Sequence, residues 1–567
     1  MRYIKCIVLL ACLLAVSSLV GCGKNETAKT TESVASTESS QVQYETKLFD
    51  QSYVHEIDVT INEEDWEDLL ANPTKKTKYQ VDVEIDGEKI ENVSFSTKGN
   101  TSLSSVASDS ESDRYSFKVN FGKYEEGQNY YGLDKLNLNN IYADATYMKD
   151  YLSYELFRKV GVDAPLTSYV QLKINGEDFG LYLGIEEIGT SYLSRNNEEE
   201  SELYKPETAR LANMGGPEEG KAPGDGERPE MPENGQMPDE GERPELPENS
   251  QIPEEGERPE FPDGEQVRSE GERPEMPEDG NMRSNGERPE LPDGEQMPDR
   301  NQMGKRFGET SSGAAIVYTD DTIESYSDIF DNAETDVTDE DKQRVIQAIK
   351  KLSEGSAEEA LDTEEVINYF VAHNFVMNYD SYTGTMLHNY YLKETDGKLS
   401  ILPWDYNLAF GAFSRAGKSE DGDATSLVNC GIDSPLSGTS EEDRPLWNFI
   451  VSNEEYLEQY HESFGQLVEY VNSEEFEKEM NRVYEMIHPY VEKDASAFYS
   501  LSEFEQAYDT LLNFCKLRAE SITNQLDGTL STVTETQDSE DKIDASSINI
   551  SVMGTQNNRK KSENGVS

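Results

Sequence analysis

The segment from Asn378 to Gly411 concentrates the residues that could do chemistry. It reads as a helix end, a loop carrying Asp380, then Asn389 opening a strand. A turn at Asp396-Gly397 and a second strand follow, then Pro403-Trp404-Asp405-Tyr406-Asn407 and Phe410-Gly411. A hairpin brings its two ends together, so Asn389 and Asp405 are expected side by side. Hard oxygen donors at one spot suit magnesium or manganese. A metal clamp plus one free carboxylate is what phosphoryl transfer needs. The metal ions hold the phosphates, and the carboxylate meets the acceptor hydroxyl. Either aspartate alone would read as a cap or turn residue. The joint arrangement with Asn389 carries the functional reading.

The same order runs along the chain of protein kinases: an aspartate in a loop after a helix, an asparagine opening a hairpin strand, an aspartate at its far end. Competing readings of nearby residues are weaker. His373 and His388 lack ligand spacing and read as structural. Tyr390, Tyr391 and Tyr406 read as core and rim packing. A glycosidase built on paired carboxylates finds no second acid in a comparable setting.

Positioning these groups requires two kinds of structure. Over residues 49–205 the patterning is α+β around an antiparallel sheet. Ile57, Val59 and Ile61 alternate as a strand, and an acidic helix is expected at Glu63–Ala71. Strands follow at Tyr79–Ile85, Ile90–Phe95, Tyr115–Phe121 and Leu133–Leu138, the first two joined by Asp86-Gly87. Thr146–Val160 has helical spacing, and Ser168–Ile174 with Phe179–Ile185 form a hairpin about Asn175-Gly176. Residues 312–526 are mostly helical, with helices expected at Asp341–Leu352, Thr363–Asn378, Leu446–Glu469, Ser473–Val491 and Ser502–Gln525. Between these blocks, residues 206–311 repeat Gly-Glu-Arg-Pro-Glu from Gly226, Gly241, Gly256, Gly271 and Gly286, a period of 15 residues. One or two apolar side chains per repeat cannot offset the entropy of ordering it, so this is expected to be a disordered insertion into one folded unit. The polar tail 527–567 is expected to be disordered too.

The chain has 567 residues and a net charge of −64, which excludes the basic surface that nucleic-acid binding requires. Residues 1–22 read as a secretion signal: Arg2 and Lys5, then an apolar run ending in Leu19-Val20-Gly21-Cys22. That ending resembles a lipobox, so Cys22 is expected to carry lipid and hold the protein on the outer face of a membrane. Residues 23–48 read as a flexible tether. Of five cysteines only Cys430 and Cys515 lie in the body, which gives no zinc spacing and leaves their pairing open. The acidic repeats could touch cell wall or basic proteins.

His388-Asn389-Tyr390-Tyr391-Leu392 with Pro403-Trp404-Asp405-Tyr406 and Phe410-Gly411 resembles the CotH family of spore-coat protein kinases. So do Lys98-Gly99-Asn100-Thr101-Ser102, Asn175-Gly176, Gly180-Leu181-Tyr182 and Glu186-Glu187-Ile188. The resemblance implies a divergent two-lobe kinase fold with an antiparallel-sheet N-lobe and a helical C-lobe. It implies ATP, Mg2+ or Mn2+, and transfer to serine or threonine of a secreted, coat or envelope protein. By position, Asp380 is the catalytic base, Asp405 the principal metal ligand and Asn389 a second one. Lys118 is the lysine expected at the nucleotide phosphates, with Glu155 orienting it. Lys98 stands where the family usually has arginine, and Glu187 lies where the adenine is expected. Asn407 replaces an aspartate found in many members. The alternative is a non-catalytic surface or matrix-assembly protein that uses a kinase-like fold for binding.

Overall fold

The computed structural model describes residues 42–208, 313–413 and 424–556. The leader, Cys22, most of the tether and the repeats lie outside the described residues.

Seven strands make the amino-terminal unit: β1 (His55–Thr60), β2 (Tyr79–Ile85), β3 (Glu88–Lys98), β4 (Ser116–Asn120), β5 (Lys135–Asn139), β6 (Thr167–Ile174) and β7 (Glu177–Glu186). Helix α1 (Glu63–Ala71) follows β1, α2 (Thr101–Ala107) follows β3 and α3 (Lys149–Lys159) follows β5. The turns at Asp86-Gly87 and Asn175-Gly176 have positive φ at both residues, as the tight hairpin turn requires. The sheet does not stay open as a kinase N-lobe would. It closes in the order β1-β2-β3-β4-β5-β7-β6, sealed by β1 pairing parallel with β6 from His55↔Val170 to Val59↔Ile174. Closure removes the exposed edges and fills the interior with Val81, Val83, Phe95, Phe117, Val119 and Leu138. The expected antiparallel N-lobe is therefore corrected to a closed barrel within an α+β fold.

The alternate residues of β3, β4 and β5 face outward and are polar: Lys98, Ser116, Lys118, Asn137 and Asn139, with Ser116 paired to Lys98 and Lys118 to Asn137. Beside them, outward Leu183 and Ile185 of β7 join the apolar core of the second unit. That unit contains β8 (Glu202–Tyr204), β9 (Tyr390–Thr395) and β10 (Lys398–Pro403) in the order β10-β9-β8. Its helices include α4 (Asp339–Ser353), α5 (Thr363–Val376), α6 (Pro445–Val451), α7 (Glu454–Val471), α8 (Glu474–Val491) and α9 (Leu501–Leu526). The expected single helix Leu446–Glu469 is two. The chain breaks at Ser452-Asn453, where the Asn453 side chain caps the amides of Glu455 and Tyr456. Asp362, Ser473 and Ser500 cap α5, α8 and α9 in the same way. Cys430 and Cys515 are buried thiols that do not pair in a disulfide.

Two expectations of disorder are corrected. Tyr44 and Leu48, at the end of the expected tether, are fully buried, and the Tyr44 hydroxyl bonds Glu186. Residues 527–556 of the expected tail are packed: Leu530, Ala545, Ile550 and Met553 are buried, and Ala145 N–H donates to Met553 O at 3.1 Å. We expect Met553→Ala to lower stability by about 2–4 kcal/mol in denaturant unfolding, as burial of a methionine dictates. A loss under about 0.5 kcal/mol, typical of an exposed site, would return the tail to disorder.

Candidate active site

The hairpin β9–β10 sets the site. Tyr390 pairs with Pro403 across the strands, so the residues flanking them, Asn389 and Trp404-Asp405, are held together. Its turn Asp396-Gly397 has positive φ at both residues. Asn389 (φ 59°) and Asp405 (φ 56°) both adopt the left-handed conformation, which asparagine and aspartate tolerate best among residues with side chains. Such backbone turns the chain sharply out of each strand at the same level.

Asp380 sits against them. Asn389 Nδ2 donates to Asp380 O at 2.9 Å and to Oδ2 at 3.2 Å. Among the described residues no hydrogen bond reaches Asn389 Oδ1. Burial, then the charge of Asp405, pushes the Asp380 carboxyl up to about 8. His388 Nε2 lies 3.4 Å from Asp380 Oδ1, and burial holds its ring down to about 4. His373 is a structural histidine, bonded to Tyr406 and Thr383 at 2.7 Å each. Tyr390, Tyr391 and Tyr406 are all buried, in keeping with packing roles.

A third carboxylate, Asp150 in the first turn of α3, faces Asp405. Burial and Asp405 together raise it to about 7. Its Oδ1 accepts the Tyr406 N–H at 2.6 Å, and its Oδ2 lies 3.4 Å from Asn139 Nδ2. Sequence reasoning missed Asp150 and chose Glu155 on the same helix. Five residues at 100° each put Glu155 about 140° around the axis. There its carboxylate bonds Arg158 and Gln51 Nε2 beside a surface hollow on the far side, and Lys118 is not its partner. The available signal was a Lys149-Asp150 pair opening a helix that is buried on most of its circumference.

The outer barrel face supplies the positive charge. Lys118 Nζ donates to Glu187 Oε1 at 2.7 Å, and Glu187 also accepts from Asn137. Burial alone would raise Glu187, but the Lys118 charge, the hydrogen bonds from Lys118 and Asn137 and the charge of Lys205 together outweigh it and bring the carboxyl down to about 2. Lys98 Nζ donates to Asn139 Oδ1 at 2.7 Å and lies 5.7 Å from the Trp404 ring. Burial lowers Lys98 to about 8 against the opposing pull of Asp405 and Glu187. Lys205, which was not foreseen, places its Nζ 5.6 Å from the same Trp404 ring. Lys98, Ser116, Asn139, Asp150, Asp405 and Asn407 line a cavity of about 60 Å³. At the other end of the polar row, Asn120, Asn129, Lys135, Glu187 and Thr190 line a hollow of about 250 Å³.

These residues fit a divalent cation. No hydrogen bond among the described residues reaches the Asp405 carboxylate, and Asn389 stands at the neighbouring end of the hairpin. Among the described residues no three His, Cys, Asp or Glu side chains converge into a complete cage. Magnesium and manganese take one or two protein oxygens and complete their shell with phosphates and water.

Comparison with known families settles the relationship. The model of the CotH kinase protein family matches residues 95–249 and 290–522. This chain belongs to the CotH kinase family. The match spans Lys98, Lys118, Asp150, Asp380, Asn389 and Asp405. No curated protein matches the sequence. Among the described residues no helix is long and apolar enough to cross a membrane.

The raised carboxyls give a pH signature. A folded-state value of about 8 for Asp380 and about 7 for Asp150, above the ordinary 3.8, favours the protonated, folded form. That contribution is complete below pH 4 and is lost as pH rises through 7 and 8. Without divalent cation, the urea midpoint should therefore fall more between pH 5 and pH 9 in wild type than in Asp405→Asn, which removes the repelling charge. Equal pH dependence in the two proteins would contradict the electrostatic account.

Proposed function

We propose that this CotH kinase family member is an atypical protein kinase that transfers phosphate from ATP to serine or threonine of a secreted, coat or envelope protein. The carrying observation is the meeting of Asn389 and Asp405 at the hairpin ends, beside Asp380 and opposite a lysine-bearing barrel face.

Asp405 and Asn389 Oδ1 would hold the cation. When bound to ATP, Mg2+ or Mn2+ neutralises charge on the phosphate oxygens. Lys98, and Lys118 once released from Glu187, would meet those oxygens. The hollow beside Glu187 and Thr190 has polar groups suited to a nucleoside, near the place expected for adenine. Glu186 is unsuited to that role, because it is fully buried and paired with Arg195 at 2.9 Å. Asp380 accepts the proton of the acceptor hydroxyl as the new O–P bond forms and the bond to ADP breaks. Its carboxyl is raised by burial and then by the charge of Asp405, so neutralising that charge removes one of the two effects that keep it protonated. The apolar leader and the Leu19–Cys22 ending support lipid anchoring at Cys22 and action outside the cytoplasm.

The full chain, incubated with labelled ATP, Mn2+ and a serine-rich protein acceptor, should transfer label. Asp380→Asn should slow transfer by about a hundredfold or more, the usual contribution of a general base. Asp405→Ala should reduce it to background. Equal transfer by wild type and Asp405→Ala would overturn the assignment, and no transfer by wild type would leave a binding module.

A further inference from the structure

Helix α3 grips the backbone on both sides of the Asp405 Cα. Tyr154 lies one turn beyond Asp150 on the same helix face. The Asp405 N–H donates to the Tyr154 hydroxyl at 3.0 Å, and the next amide, Tyr406 N–H, donates to Asp150 Oδ1 at 2.6 Å. Two successive backbone donors of a left-handed turn are thus satisfied by two side chains of one rigid element. Asp150 and Tyr154 are both buried, so an unmet amide here has no water to turn to. Asp150 Oδ2 also reaches Asn139 Nδ2, whose Oδ1 holds Lys98. One side chain therefore ties the Asp405 turn to the barrel lysine across the cleft.

We propose that Asp150 and Tyr154 are positioning residues for Asp405: by accepting the amides of Tyr406 and Asp405 they fix the left-handed turn that aims the Asp405 carboxylate into the cleft, and through Asn139 they hold it in register with Lys98. The division of labour follows from hydrogen bonding. Both Asp150 oxygens have protein partners, whereas no hydrogen bond among the described residues occupies the Asp405 carboxylate. The inference deepens the kinase reading, but its backbone part does not rest on catalysis.

The segment behind the grip is itself buried. Asp144 accepts the amides of Thr146 and Lys149 at the start of α3. Lys149 Nζ, fully buried, donates to Ala143 O at 3.1 Å and to Gly554 O at 3.2 Å. The carboxy-terminal segment thus buttresses the turn from which Asp150 projects.

The test uses the full chain with Mn2+ as the only ligand, and compares wild type, Asp150→Asn, Asp150→Ala and Tyr154→Phe. Mn2+ affinity is read by the free-ion paramagnetic signal, and amide hydrogen exchange is read over residues 404–408. Asparagine keeps an acceptor oxygen for the Tyr406 amide. Asp150→Asn should therefore retain exchange protection and stay within about threefold in affinity. Asp150→Ala should lose both, with affinity weakened about 10–100-fold, as for groups that orient a metal ligand. Tyr154→Phe is nearly isosteric and folds even if the alanine variant does not. It should expose the Asp405 amide to exchange. Asp150→Asn failing to bind Mn2+ at all would make Asp150 a direct ligand and overturn the positioning role. Unchanged exchange in both Asp150→Ala and Tyr154→Phe would overturn it as well. If wild type binds no Mn2+ while the exchange pattern holds, the kinase reading fails and the positioning role stands.

Discussion

Burying Asp150, Asp380 and Asp405 near one another is the constraint on which the rest of the architecture depends. Charge taken out of water is costly, and like charges at short range add to the cost. Two of the three respond by holding protons into the neutral range. Asp405 stands between them with its carboxylate open to the cleft. Carboxyls placed this way lower the cost of burial either by holding protons or by taking a cation. The hairpin register and the α3 grip hold Asp405 in place. The Asn389 amide restrains Asp380.

The positive side of the cleft obeys the same logic. Lys98 and Lys118 project from the polar outer face of a barrel whose inner face is apolar. Lys118 pairs with the Glu187 carboxylate, and Lys98 donates to the neutral Asn139 amide with Asp405 and Glu187 at longer range. Phosphate oxygens could replace those partners with little rearrangement, because the lysines are already aligned by the ladder between β3 and β4. The closed barrel gives this face a rigidity that an open sheet would lack, since no strand edge is left free to shift.

Much of this was legible from the order of residues. Helix Glu63–Ala71 and strand Tyr79–Ile85 were read to the residue, because their apolar periodicity and flanking turn signals agree. The meeting of Asn389 and Asp405 followed from hairpin pairing, while Asp380 was drawn in by the chain order of protein kinases. Barrel closure was not legible, because the parallel β1–β6 pairing joins strands more than a hundred residues apart and leaves no local mark. The packed tail escaped notice because Leu530, Ala545 and Met553 are spaced too irregularly for either period. Asp150 escaped for a different reason. A charged residue in the first turn of a helix reads as a solvated partner of the helix dipole, and only the packing of α3 on most of its circumference makes it interior.

Anomalous diffraction from a crystal soaked with Mn2+ and ATP tests the central claim most directly. The account predicts a manganese peak bonded to an Asp405 carboxylate oxygen and bridged to the phosphates, with Asn389 Oδ1 beside it and Lys98 on the opposite side. A metal–nucleotide complex bound elsewhere, with the Asp405 carboxylate turned away from it, would contradict the account.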